Sequence, residues 1–386
     1  MIHLRGANME LYLDSAATTA IDEDVLQEYI KLISCQYGST GSLHQLGQET
    51  LALETSSKTK IASLLKVKPN EIYFNSGATE GNNYAIKGVA LNYRKRGNTI
   101  ITTKVEHPSV YECVKQLEKD YGFNCIYLDV NENGVVDLNQ LKQVMSNDVI
   151  LVSIMYVNHE VGSIMPIKQI GQLLKQYPKA IFHSDITQAL GKTPVDLSCL
   201  DIATMSAHKI HGIKGSGFIY KKDRVSFYPL ISGHEAHNSL RAGTSNWPSN
   251  VVMSKALENT LNKMKQNYSS LKRCQSLLID GLSKIDGIVI NTTTETCIPG
   301  IVNFSALSYN PEVVIRALSN KKIYVSSRSV CSVEKKDQVS STLYAMKKDM
   351  SICVSSIRVS YDKPLTDEEI NYFIDSVKEA LSIVRK

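Results

Sequence analysis

Strand-like and helix-like segments alternate along the chain between about residue 55 and residue 220. Apolar runs rich in β-branched and aromatic residues are separated by longer segments with helical spacing of their apolar residues. The strand-like runs are EIYFNS, NTIITTKV, CIYLDV, DVILVSIMYV, KAIFHSDI, DIATMSAH and GSGFIYKK. This order predicts an α/β protein whose strands are mostly parallel and joined by crossover helices. An open sheet of this kind binds ligands beyond the carboxyl ends of its strands.

A long helical pattern follows this region and marks the predicted domain boundary. It covers roughly residues 251 to 267, and a smaller α+β pattern comes after it. Because 386 residues exceed one ordinary hydrophobic core, two domains are expected. We predict a large ligand-binding domain over residues 20–262 and a small domain formed by residues 1–19 and 263–386.

Composition excludes several classes of protein. The apolar fraction of 43% and the charged fraction of 21% are typical of globular chains and not of disordered or fibrous ones. The net charge of +5 is spread along the chain, which favours an ordinary solvated exterior over direct nucleic-acid binding. Apolar runs are too short for a membrane helix, and the N-terminal segment lacks the core of a signal peptide. We therefore predict a cytoplasmic protein without membrane contact, beginning at Met1 or Met9.

The eight cysteines show no C-x-x-C pair and no spacing typical of metal ligands. In a chain of this length this favours reduced thiols over disulfides or zinc ligands, so no metal site is predicted. Most of these cysteines are expected to be small core residues.

The stretch FNSGATEGNN, residues 74 to 83, joins a strand to a helix that is predicted to begin at Ala78. The first N–H groups of a helix are unpaired and positively polarised, so this turn could hold a phosphate. The same residues also form a good helix cap around Ser76 or Thr79. Taken alone, the stretch favours the capping role.

Two further stretches place charged residues at predicted strand ends. SDITQ puts Asp185 at the end of a buried strand, and MSAHKIHGIKGSG puts Lys209 before a glycine-rich turn. A buried carboxylate needs a donor or cationic partner, and a desolvated lysine can become a nucleophile. Each residue by itself is more often structural. Together with the phosphate turn they require a ligand with a phosphate, a ring nitrogen for Asp185 and an aldehyde for Lys209, which indicates pyridoxal 5'-phosphate.

Nine motifs in order resemble those of the class-V aminotransferase superfamily, and more closely those of cysteine desulfurases of the iron–sulfur or nitrogen-fixation type. The resemblance extends from Tyr12 to the TDEEI stretch that begins at Thr366. It implies fold type I of the pyridoxal-phosphate-dependent transferases, with a large sheet domain and a smaller α+β domain. The motifs are YLDSAATT, SGATEGNN, EHPSV, YVNHEVG, SDITQALGK, SAHKIHGIKG, LRAGTSN, the cysteine segment SSRSVCSVEKK and SSIRVSYDKPLTDEEI.

The resemblance implies roles for residues around the cofactor ring. Lys209 would hold the cofactor covalently and later move the Cα proton of the substrate. Asp185 would pair with the pyridinium nitrogen and keep it protonated, and His107 would stack on the ring and could move a proton. Asn158 and Gln188 would form hydrogen bonds on the side of the ring's phenolic oxygen.

The resemblance also implies residues that bind the phosphate and the substrate. Arg358 would hold the substrate carboxylate with its planar fork. The phosphate would be held by residues of two subunits, which implies a homodimer. The phosphate residues are Ala78, Thr79, Ser206 and His208, together with Thr244 of a second subunit.

The segment SSRSVCSVEKK would carry the thiol that reacts with the substrate. The resemblance implies that Cys331 takes the sulfur of L-cysteine as a persulfide and leaves L-alanine. An accessible, deprotonated thiol on a mobile segment is required for this. The separation between Cys331 and Arg358 resembles the long-loop class of desulfurases. That class passes sulfur to an acceptor protein, such as an iron–sulfur scaffold or a tRNA-thiolation enzyme.

Two motifs depart from the pattern of the family. Family members commonly have G-S-A-C where this chain has residues 328–331, with Arg328 and Val330 as the exchanged residues. The usual N-P-S-S-x-H appears here as residues 39–44, STGSLH. The alternatives left open are another class-V enzyme, such as a selenocysteine lyase or an aminotransferase, and a weakly active scaffold or regulator of iron–sulfur assembly.

Overall fold

The computed structural model describes residues 9–233, 240–327 and 339–384. Cys331 and its neighbours Arg328 and Val330 lie outside the described residues. The helices are α1 (Glu23–Cys35), α2 (Gln45–Leu65), α3 (Ala78–Asn83), α4 (Val89–Tyr93), α5 (Pro108–Tyr121), α6 (Leu138–Val144), α7 (Ile167–Leu174), α8 (Trp247–Ser283), α9 (Pro311–Asn320), α10 (Ser341–Ala345), α11 (Met350–Val354) and α12 (Asp367–Val384). The strands are β1 (Leu11–Tyr12), β2 (Ile72–Asn75), β3 (Thr99–Thr103), β4 (Asn124–Leu128), β5 (Val149–Ser153), β6 (Ile181–Asp185), β7 (Ile202–Ser206), β8 (Gly217–Lys221), β9 (Ile288–Ile290), β10 (Ile301–Ala306), β11 (Ile323–Tyr324) and β12 (Ser356–Ser360).

Seven strands form one large sheet in the order β2-β8-β7-β6-β5-β3-β4. Strands β3 to β7 pair in parallel, whereas β8 is antiparallel to both of its neighbours. Each predicted strand-like run contains one of these strands, so the mostly parallel α/β sheet is confirmed. Successive residues point to opposite faces, as Ile100 and Ile101 of β3 show by joining different apolar clusters. Both faces are therefore covered, which explains why the central strands are continuously apolar.

The carboxyl ends of β6 and β7 place the predicted site residues side by side. Strand β6 ends at Asp185 and β7 ends at Ser206, and Asp185 pairs in register with Thr204. The turn from β2 into α3 meets the same edge, because β8 is antiparallel to both β2 and β7, so these two strands run in the same direction. Helix α3 begins at Ala78, as the sequence predicts.

The second part of the chain, together with β1 from its beginning, builds two smaller sheets, β12-β10-β9 and β1-β11. Their apolar cluster joins Leu11 and Leu13 to residues between Leu271 and Leu381. Leu343 and Met346, however, join the cluster of the large sheet. The division into domains at residues 19 and 262 stays a prediction.

Helix α8 is longer than the sequence pattern predicted. It extends over 37 residues instead of roughly 251 to 267, with Pro248 in its first turn. Its first half packs on α1 and α2 and its second half contacts α12. The apolar face changes partner midway, which weakens the periodicity that marks the helix in sequence. Across the described ranges, none of the helices combines the length and apolar character that crossing a membrane requires.

Candidate active site

Asp185 is held at the end of β6 by donors on both oxygens. The N–H of Thr187 donates to Oδ1 at 2.9 Å, and the side-chain amide of Asn82 donates to Oδ2 at 2.8 Å. Asp185 is only 7% exposed and Asn82 is fully buried. A buried carboxylate requires such donors, and these fix the direction in which it faces.

Asn82 of α3 connects this carboxylate to the neighbouring strand and to α5. Its Oδ1 accepts from the hydroxyl of Thr204 at 2.5 Å, and its Nδ2 also donates to Ser109 Oγ at 2.8 Å. Nε2 of His183 lies 3.2 Å from Thr204 Oγ1, and burial lowers the pKa of His183 to about 4. The carboxylate is therefore embedded in a network of neutral side chains.

His107 ends this network at the start of α5. Its Nδ1 accepts from the backbone N–H of Ser109 at 3.2 Å and lies 2.8 Å from Ser109 Oγ. Because Nδ1 accepts from a backbone donor, the proton of the neutral ring is assigned to Nε2. Burial lowers the pKa of His107, Asp185 opposes that effect, and Lys209 adds to it. The ring is therefore neutral near pH 7, with an N–H at its far nitrogen.

Lys209 follows β7 in a single 3-10 turn. Its ammonium donates to the carbonyl oxygens of Ala16 and Ala17, the latter at 2.6 Å. Gln188 also donates to the Ala16 carbonyl, through Nε2 at 2.9 Å. The YLDSAATT motif near the start of the chain thus forms one wall of the site, beside Lys209 and Gln188.

The turn between β2 and α3 lies against the end of β7. The N–H of Ala78 donates to Ser206 Oγ at 2.7 Å. Gly77 has a φ of 136°, and a Cβ at this position would lie 3.1 Å from Ser206 Oγ. Glycine is therefore required both by the backbone conformation and by the close approach to Ser206. Two of the predicted phosphate residues thus contact each other directly.

The other predicted phosphate residues lie in different surroundings. Thr79 is exposed one residue after Ala78. His208 Nδ1 lies 3.1 Å from Thr18 Oγ1, and burial lowers the pKa of His208 to about 4. Thr244 is exposed and lines a cleft of ≈ 570 Å³ together with Ser76. Their contacts with a phosphate stay predictions.

Arg358 of β12 is 5% exposed and already has several acceptors. Nη1 donates to the carbonyl of His159 at 2.8 Å. Nη2 donates to Asp14 Oδ1 at 3.0 Å and to Ser326 Oγ at 2.9 Å. Nε is buried and has no hydrogen-bond partner among the described residues. A substrate carboxylate would therefore bind at the Nε edge or take the place of Asp14, and its binding here stays a prediction.

Asn158 is fully buried and its side-chain amide is engaged on both sides. Oδ1 accepts from the N–H groups of Glu160 and Val161 at 2.9 and 3.0 Å. Nδ2 donates to the Val105 carbonyl at 3.1 Å and to Thr342 Oγ1 at 3.2 Å. The geometry gives this side chain a structural role, and its predicted role beside the cofactor ring stays a prediction.

Glu160 links the turn after β5 to the residues that follow the cysteine segment. Oε2 accepts from Ser340 Oγ at 2.5 Å and Oε1 accepts from Thr342 Oγ1 at 2.9 Å. Ser340 also caps α10, since its Oγ accepts from the N–H of Leu343 at 3.0 Å. The Glu160 carboxylate, which is only 2% exposed, thus fixes the chain at Ser340, nine positions after Cys331.

Glu106 is a second buried carboxyl group beside the network. Burial raises its pKa to about 8, although Met155 N–H and Thr103 Oγ1 donate to Oε1 at 2.9 and 2.8 Å. Oε2 is buried and has no partner among the described residues. Glu106 is therefore mostly protonated at pH 7, unlike a surface glutamate.

The sequence reasoning missed several residues that complete the site. They lie inside the quoted motifs but have no chemistry that would single them out from the sequence. Asn82 is one of two asparagines in SGATEGNN. Only its position four residues after Ala78, about one helical turn, indicates that it faces β7. The missed residues are Asp14, Asn82, Glu106, Ser109, Glu160, Lys192, Thr204 and Ser326.

The model of the family named aminotransferase class-V matches residues 11–373. The chain belongs to the class-V aminotransferase family. The mitochondrial cysteine desulfurase of Eremothecium gossypii is 36% identical over 97% of this chain and 77% of its own length. The putative cysteine desulfurase IscS 1 of Bacillus subtilis is 34% identical over 97% of this chain and 99% of its own. A solved NifS-like protein superposes with a TM-score of 0.91 at 36% identity, over 97% of this chain and all of that one.

Within the family the chain groups with the cysteine desulfurases, which confirms the resemblance that the motifs show. Members of this family depend on pyridoxal phosphate, and so does this chain. The residues present fit that group. Asp185 offers an oriented acceptor for a ring N–H, Lys209 an amine, and Ser206, whose Oγ accepts from Ala78 N–H, a hydroxyl donor. Thr187 Oγ1, beside Asp185, is buried and has no partner within the described ranges.

Proposed function

We propose that this protein converts L-cysteine to L-alanine and takes the sulfur on Cys331 as a persulfide. One observation carries the proposal. Lys209 contacts Ala16 and Arg358 contacts Asp14, two residues apart in the same turn. This turn thereby brings Arg358, a cation that would bind a carboxylate, close to Lys209, the amine that would hold the cofactor. An α-amino acid carries its carboxylate and its amine on one carbon, and therefore matches this arrangement.

The bound cofactor supplies an electron sink that stabilises negative charge at the substrate's Cα. Asp185 would keep the ring nitrogen protonated, as its orientation by Asn82 and Thr187 favours. The Lys209 amine would take the Cα proton of the substrate. His107 would present its Nε2–H to the ring or the substrate, because its Nδ1 is occupied by Ser109. Arg358 would orient the substrate through its carboxylate.

Sulfur transfer would be carried out by Cys331 on the substrate sulfur, with the bound cofactor as the electron sink that activates the substrate. The Cys331 thiolate attacks the substrate sulfur, and a new S–S bond forms while the C–S bond breaks. The electron pair of the C–S bond stays on the carbon fragment, which takes a proton and leaves as alanine. Sulfur is oxidised as the carbon is reduced, so no other oxidant is required. Cys331 would then pass the sulfur to an acceptor protein that serves iron–sulfur assembly, tRNA thiolation or a thiocofactor pathway.

The proposal is tested by incubating the pyridoxal-phosphate-loaded protein with L-cysteine without reductant and measuring alanine and protein mass. We expect alanine close to one equivalent and a mass increase of one sulfur atom at Cys331. Cys331→Ser should form neither, whereas Cys35→Ser, which alters an exposed cysteine elsewhere, should match the wild type. Alanine formation unchanged by Cys331→Ser would rule out the persulfide route and favour another lyase. No alanine from any variant would favour the scaffold alternative.

We further propose that the enzyme acts as a homodimer in the cytoplasm. Thr244 would reach the phosphate of the second subunit, in keeping with its exposure on the cleft wall. Tyr37 and Leu43 are 84% and 91% exposed, as expected of side chains that a second copy could cover. The described cysteines are all unpaired, which fits a reducing compartment.

A further inference from the structure

Lys192 lies next to the active site without a role in the reaction described above. Its ammonium donates to Oε1 of Gln188 at 2.5 Å. The two residues are four positions apart in the turns that follow β6, and Gly191 between them has a φ of 78°. The hydrogen bond itself, and not a continuous helix, shows that their side chains meet. Lys192 is partly buried, so the bond is partly shielded from solvent.

The partners of Gln188 determine the orientation of its amide. Lys192 donates to this amide, and an amide nitrogen cannot accept, so the atom facing Lys192 is the oxygen. The other end faces the Ala16 carbonyl at 2.9 Å, which can only accept, so that atom must be the nitrogen. The NH₂ group of Gln188 therefore lies on the side of Lys209, which binds the same carbonyl. One N–H of this group satisfies Ala16, and the group carries a second donor.

We propose that Lys192 is a positioning residue that fixes the amide of Gln188, so that its NH₂ group faces the phenolic oxygen of pyridoxal phosphate. The inference rests on the proposed function, because it needs the cofactor to be held by Lys209. Lys192 acts through Gln188 and touches neither cofactor nor substrate. Without the lysine, the amide oxygen loses its donor and the amide can turn over.

The charges around Lys192 give the test a clear direction. Burial, together with the charges of Lys209 and Arg358, lowers the pKa of Lys192 to about 7 against the effect of Asp362, so the lysine is charged mainly below about pH 7. Lys192 also contributes to the lowered pKa of His208. Charge interactions are mutual, so Lys192 disfavours a proton on the nitrogen by which Lys209 holds the cofactor. A Gln188 donor at the phenolic oxygen makes that oxygen a weaker partner for the same proton. Both effects lower the pKa of that nitrogen.

The experiment is a spectrophotometric pH titration of the cofactor bound to the full-length holoenzyme, without substrate. In Lys192→Met the absorbance midpoint should rise by about one pH unit, a shift of the size that neighbouring charges cause. Lys192→Arg keeps the donors and the charge, and should restore a midpoint near that of the wild type. Lys192→Leu serves as a second apolar variant should the methionine variant not fold.

A Gln188→Ala background separates positioning from direct charge effects. Lys192→Met should shift the midpoint clearly less in that background than in the wild type, because the mediating amide is missing. Equal shifts in both backgrounds would show a direct charge effect and overturn the inference, as would no shift in either. A wild-type protein that binds no pyridoxal phosphate, and keeps none on Lys209 after borohydride, would instead overturn the proposed function itself.

Discussion

The turn at residues 14–17 separates two regions that hold their charged residues in different ways. On one side lies the cofactor region, formed by Asp185, Asn82, His107 and Lys209, in which the Asp185 carboxylate accepts from the neutral donors Asn82 and Thr187 N–H. On the other side the substrate region, formed by Arg358, Asp14 and Ser326, contains a buried ion pair. The first region belongs to the large sheet and the second to the smaller sheets. The difference suggests separate tasks. The cofactor region would stabilise the charge distribution of the cofactor, and the substrate region would bind the substrate.

The cost of disturbing each region differs as well. The Arg358 side chain is 6% exposed and that of Asp14 is 20%, so breaking the pair leaves a charge with little access to water. Losing one partner of such a pair costs about 3–5 kcal/mol. The Lys60–Glu258 pair, with both side chains about two-fifths exposed, should contribute only about 0.2–1 kcal/mol. In the cofactor region a substitution removes one hydrogen bond from a connected network. The orientation of the neighbouring side chains is then altered before their charges are.

The largest effect is expected for Asp185→Asn. The side chain keeps its shape, but it no longer stabilises a protonated ring nitrogen, and its amide faces the Asn82 donor. We expect kcat to fall on the order of 10²–10³-fold, the range seen when one preorganised electrostatic contact is removed. The KM for L-cysteine should change little, because Arg358 is untouched. Steady-state alanine formation measures both constants.

Asp129→Asn is a matched control for this substitution. Asp129 directly follows β4 at the same edge of the sheet and pairs with the exposed Lys104 at 2.6 Å. It should leave kcat near the wild-type value. Equal kcat values for Asp185→Asn and Asp129→Asn would show that the cofactor region takes no part in the catalytic chemistry.

A smaller effect, in a different constant, is expected for Arg358→Lys. Lysine keeps the charge but loses the planar fork and the Nε donor. Losing one charge-assisted hydrogen bond to the substrate costs about 1.5–3 kcal/mol, which corresponds to a KM about 10- to 100-fold higher. The absorbance of the bound cofactor should not change, since the cofactor region is intact.

Arg224→Lys provides the matched control for the substrate region. Arg224 donates to Asp201 through two nitrogens at 3.0 and 2.6 Å, so the substitution by lysine removes a planar pair of donors here as well. It should lower stability without changing KM. If Arg358→Lys altered the cofactor spectrum as much as Asp185→Asn, the two regions would be one functional unit and the comparison would fail.

The two regions also differ in how far the sequence predicts them. Asp185, Lys209 and Ala78 follow or precede strands of one local α/β pattern, and parallel strands bring their ends to one edge. Sequence periodicity therefore predicts their proximity. Arg358 meets Asp14 across 344 positions, in small sheets whose pairing no periodicity specifies. Lys192 and Asn82 lie within predicted motifs, yet their roles depend on which atom faces which partner, and a pattern of residue types does not contain that information.

Glu106 provides a test of stability and not of catalysis, and it asks whether Asp185 is the single negative charge of the cofactor region. Burial raises the pKa of this carboxyl group from about 4.5 to about 8, so the folded protein binds its proton more tightly than the unfolded chain. The stabilising contribution is complete below about pH 4.5 and is lost as the pH rises towards 8. The slope is at most ~1.4 kcal/mol per pH unit.

Glu106→Gln keeps the acceptor for Met155 and Thr103 but removes the titration. Relative to the wild type, its free energy of unfolding should therefore increase between pH 5 and 8 and level off above that range. Urea midpoints at several pH values measure this difference, and Glu112→Gln, at an exposed position on α5, should show no such trend. A Glu106→Gln difference that stays constant over this pH range would mean that Glu106 is ionised in the folded protein. The cofactor region would then hold two negative charges beside His107, and its contrast with the ion-paired substrate region would disappear.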